Sequence, residues 1–205
     1  MRTLAALLAV LLTAAAGAQP PGGSGAPARA PLDEPYHVAS PDQIIRQGVD
    51  RLAGFLIGAG GASPQAVREF VEIEIAPYFD FRYMARWAAG PLFSRLTPEQ
   101  RSALQAQLRT MFLDALARNL GSLETPLPRV DVFPARPGTN ISQAYVHARV
   151  VAPQRPPLRL EFRFYWSNDG WKVYDAVANG ASAAAFYRSY YTRALRRHGP
   201  EVVLR

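Results

Sequence analysis

The chain has 205 residues and a formal net charge of +7 at pH 7, with 23 Lys and Arg against 16 Asp and Glu. It contains no cysteine, which excludes disulfides, cysteine-ligated metal centres and a lipid-modified cysteine anchor. Stability must therefore come from a packed core, and the basic surface suits an anionic partner such as a membrane, an acidic protein or a nucleic acid.

The amino-terminal segment has the layout of a cleavable secretory signal. One basic residue is followed by an apolar run from Leu4 to Leu12, too short to span a bilayer, and by small residues that end at Ala18. We predict a signal peptide over residues 1–18 and a flexible Pro/Gly/Ala-rich lead-in over residues 19–38. Export makes nucleic acid the least suitable of the anionic partners.

Four helices are predicted to open the folded part. Ser40 and Ser63 each precede a proline, which is the pattern of a capped helix start, and apolar residues follow each at helical spacing. Asp80 precedes a shorter helix. Thr97 begins a capping box before a long helix that is predicted to end near Leu120.

Beyond this helix the apolar period changes to that of strands. Four alternating runs, separated by Pro, Gly and Asn, predict four strands, and Asn168-Asp169-Gly170 predicts a hairpin between the last two. A closing helix is predicted from Ser182 to about Leu195, with Phe186, Tyr190 and Leu195 available for packing. The expected fold class is α+β, with a four-stranded antiparallel sheet covered by helices.

We expect one domain over residues 39–205, helical over 39–121 and formed by the sheet and closing helix over 122–205. Within it, the stretch RLEFRFYW places Leu160, Phe162, Phe164 and Trp166 on one face of a strand. That face must lie against a solid core or against a ligand made mostly of hydrocarbon. Spacing alone favours the core.

The sequence shows no convincing catalytic or metal-binding constellation. The three His, at positions 37, 147 and 198, have no ligand spacing between them, and we predict neither a metal nor a cofactor. The G-x-S-x-A run at residues 180–184 is similar to a nucleophile elbow, but the antiparallel strands favour Ser182 as a helix cap. Asp175 is either a general base with a raised pKa or a hydrogen-bonded structural acid.

Three segments together resemble the MlaC family, also called the toluene-tolerance auxiliary family. Residues 75–120 contain P-Y-x-D-F, a short helix ending at glycine, and T-P-x-Q-R at the start of a long helix. The segment GWKVYDAVANGASAAAFYRSYY is similar to the family's W-x-x-Y-D closing motif, and HGPEVVLR to its ending. The resemblance covers roughly residues 40–205, with departures at Ala89, Asn179 and Ala181.

The resemblance implies a periplasmic phospholipid carrier rather than an enzyme. Such proteins hold the acyl chains of a diacyl lipid in an apolar cavity between an antiparallel sheet and a helical layer. They exchange lipid with an MCE-domain protein of an inner-membrane ABC transporter and with an outer-membrane lipoprotein complex, and so maintain outer-membrane lipid asymmetry. Two alternatives stay open: a small cup-shaped α+β enzyme that uses Asp175 as general base, and a non-lipid scaffold protein.

From the resemblance and the one-sided apolar spacing, we predict a wall of apolar side chains that binds lipid. Trp166, which shares a strand face with Phe162 and Phe164, would also contribute to this wall. The side chains predicted to form it are Val71, Ile75, Met84, Trp87, Leu108, Phe112, Val146, Val150, Leu160, Phe162, Phe164 and Val173. Among the many arginines, Arg82, Arg86 and Arg188 are candidates for docking on acidic partner faces or for transient contact with anionic head groups.

Overall fold

A computed structural model describes residues 39–58, 63–123 and 127–204. The predicted signal peptide and lead-in lie outside these residues. The elements in chain order are α1 (Pro41–Gly58), α2 (Pro64–Phe70), α3 (Phe81–Ala89), α4 (Pro98–Leu120), β1 (Arg129–Val132), β2 (Arg136–Pro137), β3 (Gln143–Val151), β4 (Leu158–Ser167), β5 (Gly170–Ala178), β6 (Ala181–Ser182), α5 (Ala183–His198) and α6 (Pro200–Val203).

Side-chain caps fix where the helices begin. Ser63, Asp80 and Ser182 each accept a hydrogen bond from a backbone N–H in the first turn of α2, α3 and α5. Thr97 and Gln100 form the predicted capping box of α4. These bonds satisfy backbone donors that have no partner inside the helix, so α2, α3, α4 and α5 start where the sequence predicted.

Three short irregular helical segments lie between α2 and α4. A π-helical turn (Val71–Ile75) and a 3-10 turn (Ala76–Tyr78) continue α2, and a 3-10 segment (Gly90–Arg95) follows α3. The chain leaves α3 through Gly90, whose φ of 55° favours glycine.

The sheet has the strand order β1-β3-β4-β5-β6, and β2 also pairs with β3. All these pairs are antiparallel, so the predicted class is confirmed. The count of four strands is too low, because β2 and β6 are two-residue strands in which no alternation can be recognised. The β4–β5 hairpin turns at the predicted Asn168-Asp169-Gly170.

Two local features of β5 were not predicted. A bulge opposite the step from Arg163 to Phe164 leaves Tyr174 as the extra residue of β5. Asn179 and Gly180 then form a two-residue turn to β6, with φ values of 47° and 85°. This combination of positive φ values matches the type I′ turn that suits a tight hairpin.

The buried apolar residues form two clusters. One lies within the helices and contains residues such as Leu104, Leu108 and Phe112. The other covers the inner face of the sheet, where Val146 of β3 lies opposite Phe162 of β4. The two clusters meet at α1 and at Phe79: α1 contributes Leu52 to the helical cluster and Ile44 to the sheet cluster, and Phe79 packs against both.

Candidate functional site

An apolar cavity of about 70 Å³ lies where the two clusters meet. It is bounded by α1, the turns that follow α2, α4 and the inner face of the sheet. Its walls are formed by Ile44, Ile45, Gly48, Val49, Leu52, Glu74, Ile75, Tyr78, Phe79, Leu116, Phe162 and Val173.

Helix α1 bridges the two clusters, and this position creates the cavity. Ile44, near the start of α1, belongs to the sheet cluster, and Leu52, two turns later, belongs to the helical cluster. Gly48 lies between them on the same helix face. A Cβ placed on Gly48 would have no heavy atom within 4 Å, so the space opens directly over this glycine.

The sheet side of the cavity is anchored by Phe79. Its backbone forms a bridge with Val173 of β5, and the next residue, Asp80, donates its backbone N–H to the Val173 carbonyl. The Phe79 ring packs at a tilt against the ring of Phe112 of α4, with ring centroids 4.8 Å apart. Phe79 therefore holds the helical layer against the edge of the sheet and forms one corner of the cavity.

A polar group closes one side of the cavity. Arg51 of α1 forms an ion pair with Glu74 at 3.4 Å and donates a hydrogen bond to the Tyr78 hydroxyl at 3.0 Å. Glu74 and Tyr78 are both wall residues, and the Arg51 and Glu74 side chains are more than one third exposed. The site thus joins an apolar interior to a solvated rim that carries both signs of charge.

The twelve predicted wall residues do not converge on one cavity. Ile75, Phe162 and Val173 line it. Four more lie on the same inner face of the sheet: Val146, Val150, Leu160 and Phe164. Four others are packed inside the helical cluster: Val71, Met84, Leu108 and Phe112. Their contact with a lipid stays a prediction.

Two tryptophans lie away from the cavity. Trp87 is 37 % exposed and lines a separate groove beside Arg86 and Arg188. Trp166, which shares a strand face with Phe162, is 47 % exposed and contacts Trp171 edge-to-face near the β4–β5 turn. Neither residue lines the cavity. Amphipathic spacing and strand alternation show which face of an element is apolar, but they do not show how far along that face the neighbouring layer extends.

Sequence reasoning missed most of the α1 side of the cavity. The apolar spacing of Ile45, Val49 and Leu52 marked an amphipathic helix, but spacing does not show which surface the helix covers. The one sequence feature that could have indicated the α1 side of the cavity was Gly48, a small residue within the apolar stripe of this helix. Such a residue leaves room between a helix and its neighbour.

Asp175 is a buried, hydrogen-bonded acid at the start of α5. It is 2 % exposed, and its carboxylate accepts hydrogen bonds from the Ser182 hydroxyl at 2.7 Å and the Ala184 backbone N–H at 2.9 Å. Arg163, on the neighbouring strand, lies 3.4 Å away. Ser182 in turn caps α5 through the Ala185 N–H. The pair therefore fixes the start of α5, where the Ser182 hydroxyl donates to Asp175 and accepts from the Ala185 N–H.

Tyrosines gather on the outer face of the sheet. Tyr83 of α3 stacks on Tyr165 at 5.0 Å and lies 5.3 Å from Tyr174. The pKa of Tyr165 is raised above its ordinary value, mainly by burial and secondly by its hydrogen bond to Asp80. Burial also raises the pKa of Tyr174 to about 12. Tyr165 and Tyr174 therefore stay protonated near neutral pH, and the Tyr165 hydroxyl donates a hydrogen bond to Asp80.

Within residues 39–58, 63–123 and 127–204, no three His, Asp or Glu side chains come together as a metal site. Across the same part of the chain, no helix combines the length and apolar character needed to cross a bilayer.

Comparisons with known proteins give consistent results. The model of the family described as MlaC protein matches residues 58–205. A solved structure of a phospholipid-binding protein from Ralstonia solanacearum, in complex with a phospholipid, is similar to this chain with a TM-score of 0.64 and 25 % sequence identity. That similarity covers 81 % of this chain and 93 % of the Ralstonia chain. The family match begins at the last residue of α1, so the α1 wall of the cavity lies almost wholly outside it.

Proposed function

The chain belongs to the MlaC family, and from this premise we propose that it is a periplasmic phospholipid carrier. The observation that carries the proposal is the apolar cavity between α1 and the inner face of the sheet. The similarity to a phospholipid-binding protein from Ralstonia solanacearum supports the same ligand class.

The energetics favour reversible exchange with a membrane. Burial is worth about 0.8 kcal/mol per methylene, so two chains of roughly sixteen carbons would gain about 25 kcal/mol relative to water. That exceeds the practical limit of about 18 to 21 kcal/mol for non-covalent binding. The relevant competitor is therefore a bilayer, which is also apolar, and the net preference for the cavity can be small.

The cavity must enlarge to hold acyl chains. Its volume of about 70 Å³ is several times smaller than the volume of typical ligand pockets, which is about 300 to 1,000 Å³. We expect α1 to move away from the sheet, because only its Pro41, Ile44 and Leu52 are buried. The exposed Arg51–Glu74 pair at the rim opposes this by about 0 to 1 kcal/mol.

The carrier would receive and deliver lipid through protein partners. We propose an MCE-domain protein of an inner-membrane ABC transporter on one side and an outer-membrane lipoprotein complex on the other, with lipid asymmetry of the outer membrane as the result. A partner that binds the open form better than the closed form would release the lipid. We expect no catalytic turnover, because Asp175 and Ser182 are committed to the start of α5.

Lipid analysis of the exported protein tests the proposal. The chain is expressed with its own signal in a Gram-negative host, purified without detergent and extracted with organic solvent, and the extract is examined by mass spectrometry. We expect phospholipid in an amount comparable with the protein. An extract without phospholipid, together with no uptake from liposomes, would refute lipid carriage.

A further inference from the structure

A second concave site, a groove of about 830 Å³, lies between α3, the 3-10 segment Gly90–Arg95, α4 and α5. None of its lining residues lines the apolar cavity. The groove therefore forms a separate surface that lipid carriage does not explain.

Three arginines from three helices converge on this groove: Arg86 of α3, Arg101 of α4 and Arg188 of α5. Neither Asp nor Glu is among the described residues that line it. In the part of the chain that the structure describes, no carboxylate lies within ion-pair distance of these three guanidinium groups. The groove is a local concentration of positive charge without an internal counter-charge.

The protein holds two of these guanidinium groups in place. Arg101 donates hydrogen bonds to the carbonyls of Phe93 at 3.1 Å and Ser94 at 3.3 Å. Arg188 lies over the Trp87 ring, 4.9 Å from its centroid, and close to Gly90, where a Cβ would come within 3.4 Å of its Nη2. Fixed guanidinium groups bind an anion at a lower entropic cost than mobile ones.

The rest of the groove surface is aromatic. Tyr83 and Trp87 are each 37 % exposed and line the groove beside the arginines. Trp, Tyr and Arg are the residue types that contribute most to protein interfaces. Guanidinium groups pair with carboxylates in a bidentate geometry, and exposed rings accept an apolar side chain.

We propose that this groove docks an acidic segment of a protein partner, with carboxylates on Arg86 and Arg188 and an apolar side chain against Tyr83 and Trp87. The recessed shape favours a protruding peptide over the flat surface of a bilayer. Of the three arginines that the sequence suggested for docking, Arg86 and Arg188 line the groove and Arg82 does not.

A peptide titration with matched variants tests this proposal. The probe is a short fluorescein-labelled peptide that alternates glutamate and leucine, and a glutamine version controls for non-ionic binding. The test variant combines Arg86→Gln with Arg188→Gln. The control combines Arg136→Gln with Arg155→Gln, two exposed arginines outside the groove, and so removes the same charge.

Fluorescence anisotropy should show binding of the glutamate peptide by the unchanged protein, weakened at least about tenfold in the test variant and less than about twofold in the control. Equal weakening in both variants would overturn the proposal, as would a failure to bind the glutamate peptide better than the glutamine peptide. So would a test variant that loses only its binding to vesicles containing phosphatidylglycerol. Phospholipid content is measured on the same samples, so a failure of lipid carriage would be seen separately.

Discussion

Replacing Gly48 with leucine should exclude lipid without harming the fold. The substitution places four carbon atoms in the space over Gly48, where no heavy atom lies within 4 Å of a Cβ. If they displace a similar number of lipid methylenes into water, binding weakens by about 3 kcal/mol, at about 0.8 kcal/mol per methylene. That corresponds to roughly a hundredfold loss of affinity.

Gly54 supplies a matched control on the same helix. It also lies in α1, has no heavy atom within 4 Å of a Cβ and does not line the cavity. Both substitutions replace a helical glycine with leucine and should stabilise the helix by about 0.8 kcal/mol. Any difference between the two variants in bound lipid therefore comes from the filled cavity rather than from the helix.

The assay combines extraction of the purified variants, quantified by mass spectrometry, with uptake of fluorescent phospholipid from liposomes. Gly54→Leu should behave as the unchanged protein does, and Gly48→Leu should lose most of its lipid while melting at the same or a higher temperature. Equal lipid content in both variants would show that acyl chains do not enter the space beside α1.

Three further predictions concern stability. Phe112→Ala should cost about 3 to 5 kcal/mol in urea denaturation, because the ring is 1 % exposed and packs on Phe79; a cost near zero would show that it faces a ligand space. Asp175→Asn should cost about 1 to 3 kcal/mol and leave lipid content unchanged, because Asn offers the Ala184 N–H a weaker acceptor; loss of lipid without loss of stability would contradict this role. Burial raises the pKa of Tyr187 to about 12, so the folded state keeps a proton that the unfolded chain loses near pH 10, and stability should fall between about pH 10 and 12. Tyr187→Phe should reduce that fall in urea melts across this range, and an unchanged slope would contradict it.

Local chemistry made the elements predictable. Asp80, Thr97 and Ser182 cap helices at the predicted residues because a cap depends on side-chain and backbone groups only a few positions apart. The closing helix shows the limit of such reasoning. It buries Leu195 as expected, but also Tyr187 and Tyr191, whereas Tyr190, which was expected to pack, is 41 % exposed. Which stripe of a helix is buried depends on the neighbours it meets.

The candidate site was only partly predictable, because it forms between distant segments. Alternation correctly placed Phe162 on the inner face of the sheet, and family resemblance suggested that this face meets lipid. Neither could show that Ile44 and Leu52 of α1 would line the same cavity as Phe162. Nor could they show that Phe112 would be enclosed by other residues of the helical cluster. The bulge at Tyr174 adds one residue to β5, a change of register that depends on how the two strands pair.

The most direct measurement of the central claim is cross-linking by a phospholipid that carries a photoreactive group near the end of one acyl chain. After uptake from liposomes and illumination, adducts are located by peptide mass spectrometry. The lipid-carrier proposal predicts adducts on α1 between Ile44 and Leu52 and on the strands around Phe162 and Val173, and their loss in Gly48→Leu. Adducts confined to the groove around Trp87, or distributed equally in the Gly48→Leu and Gly54→Leu variants, would contradict it.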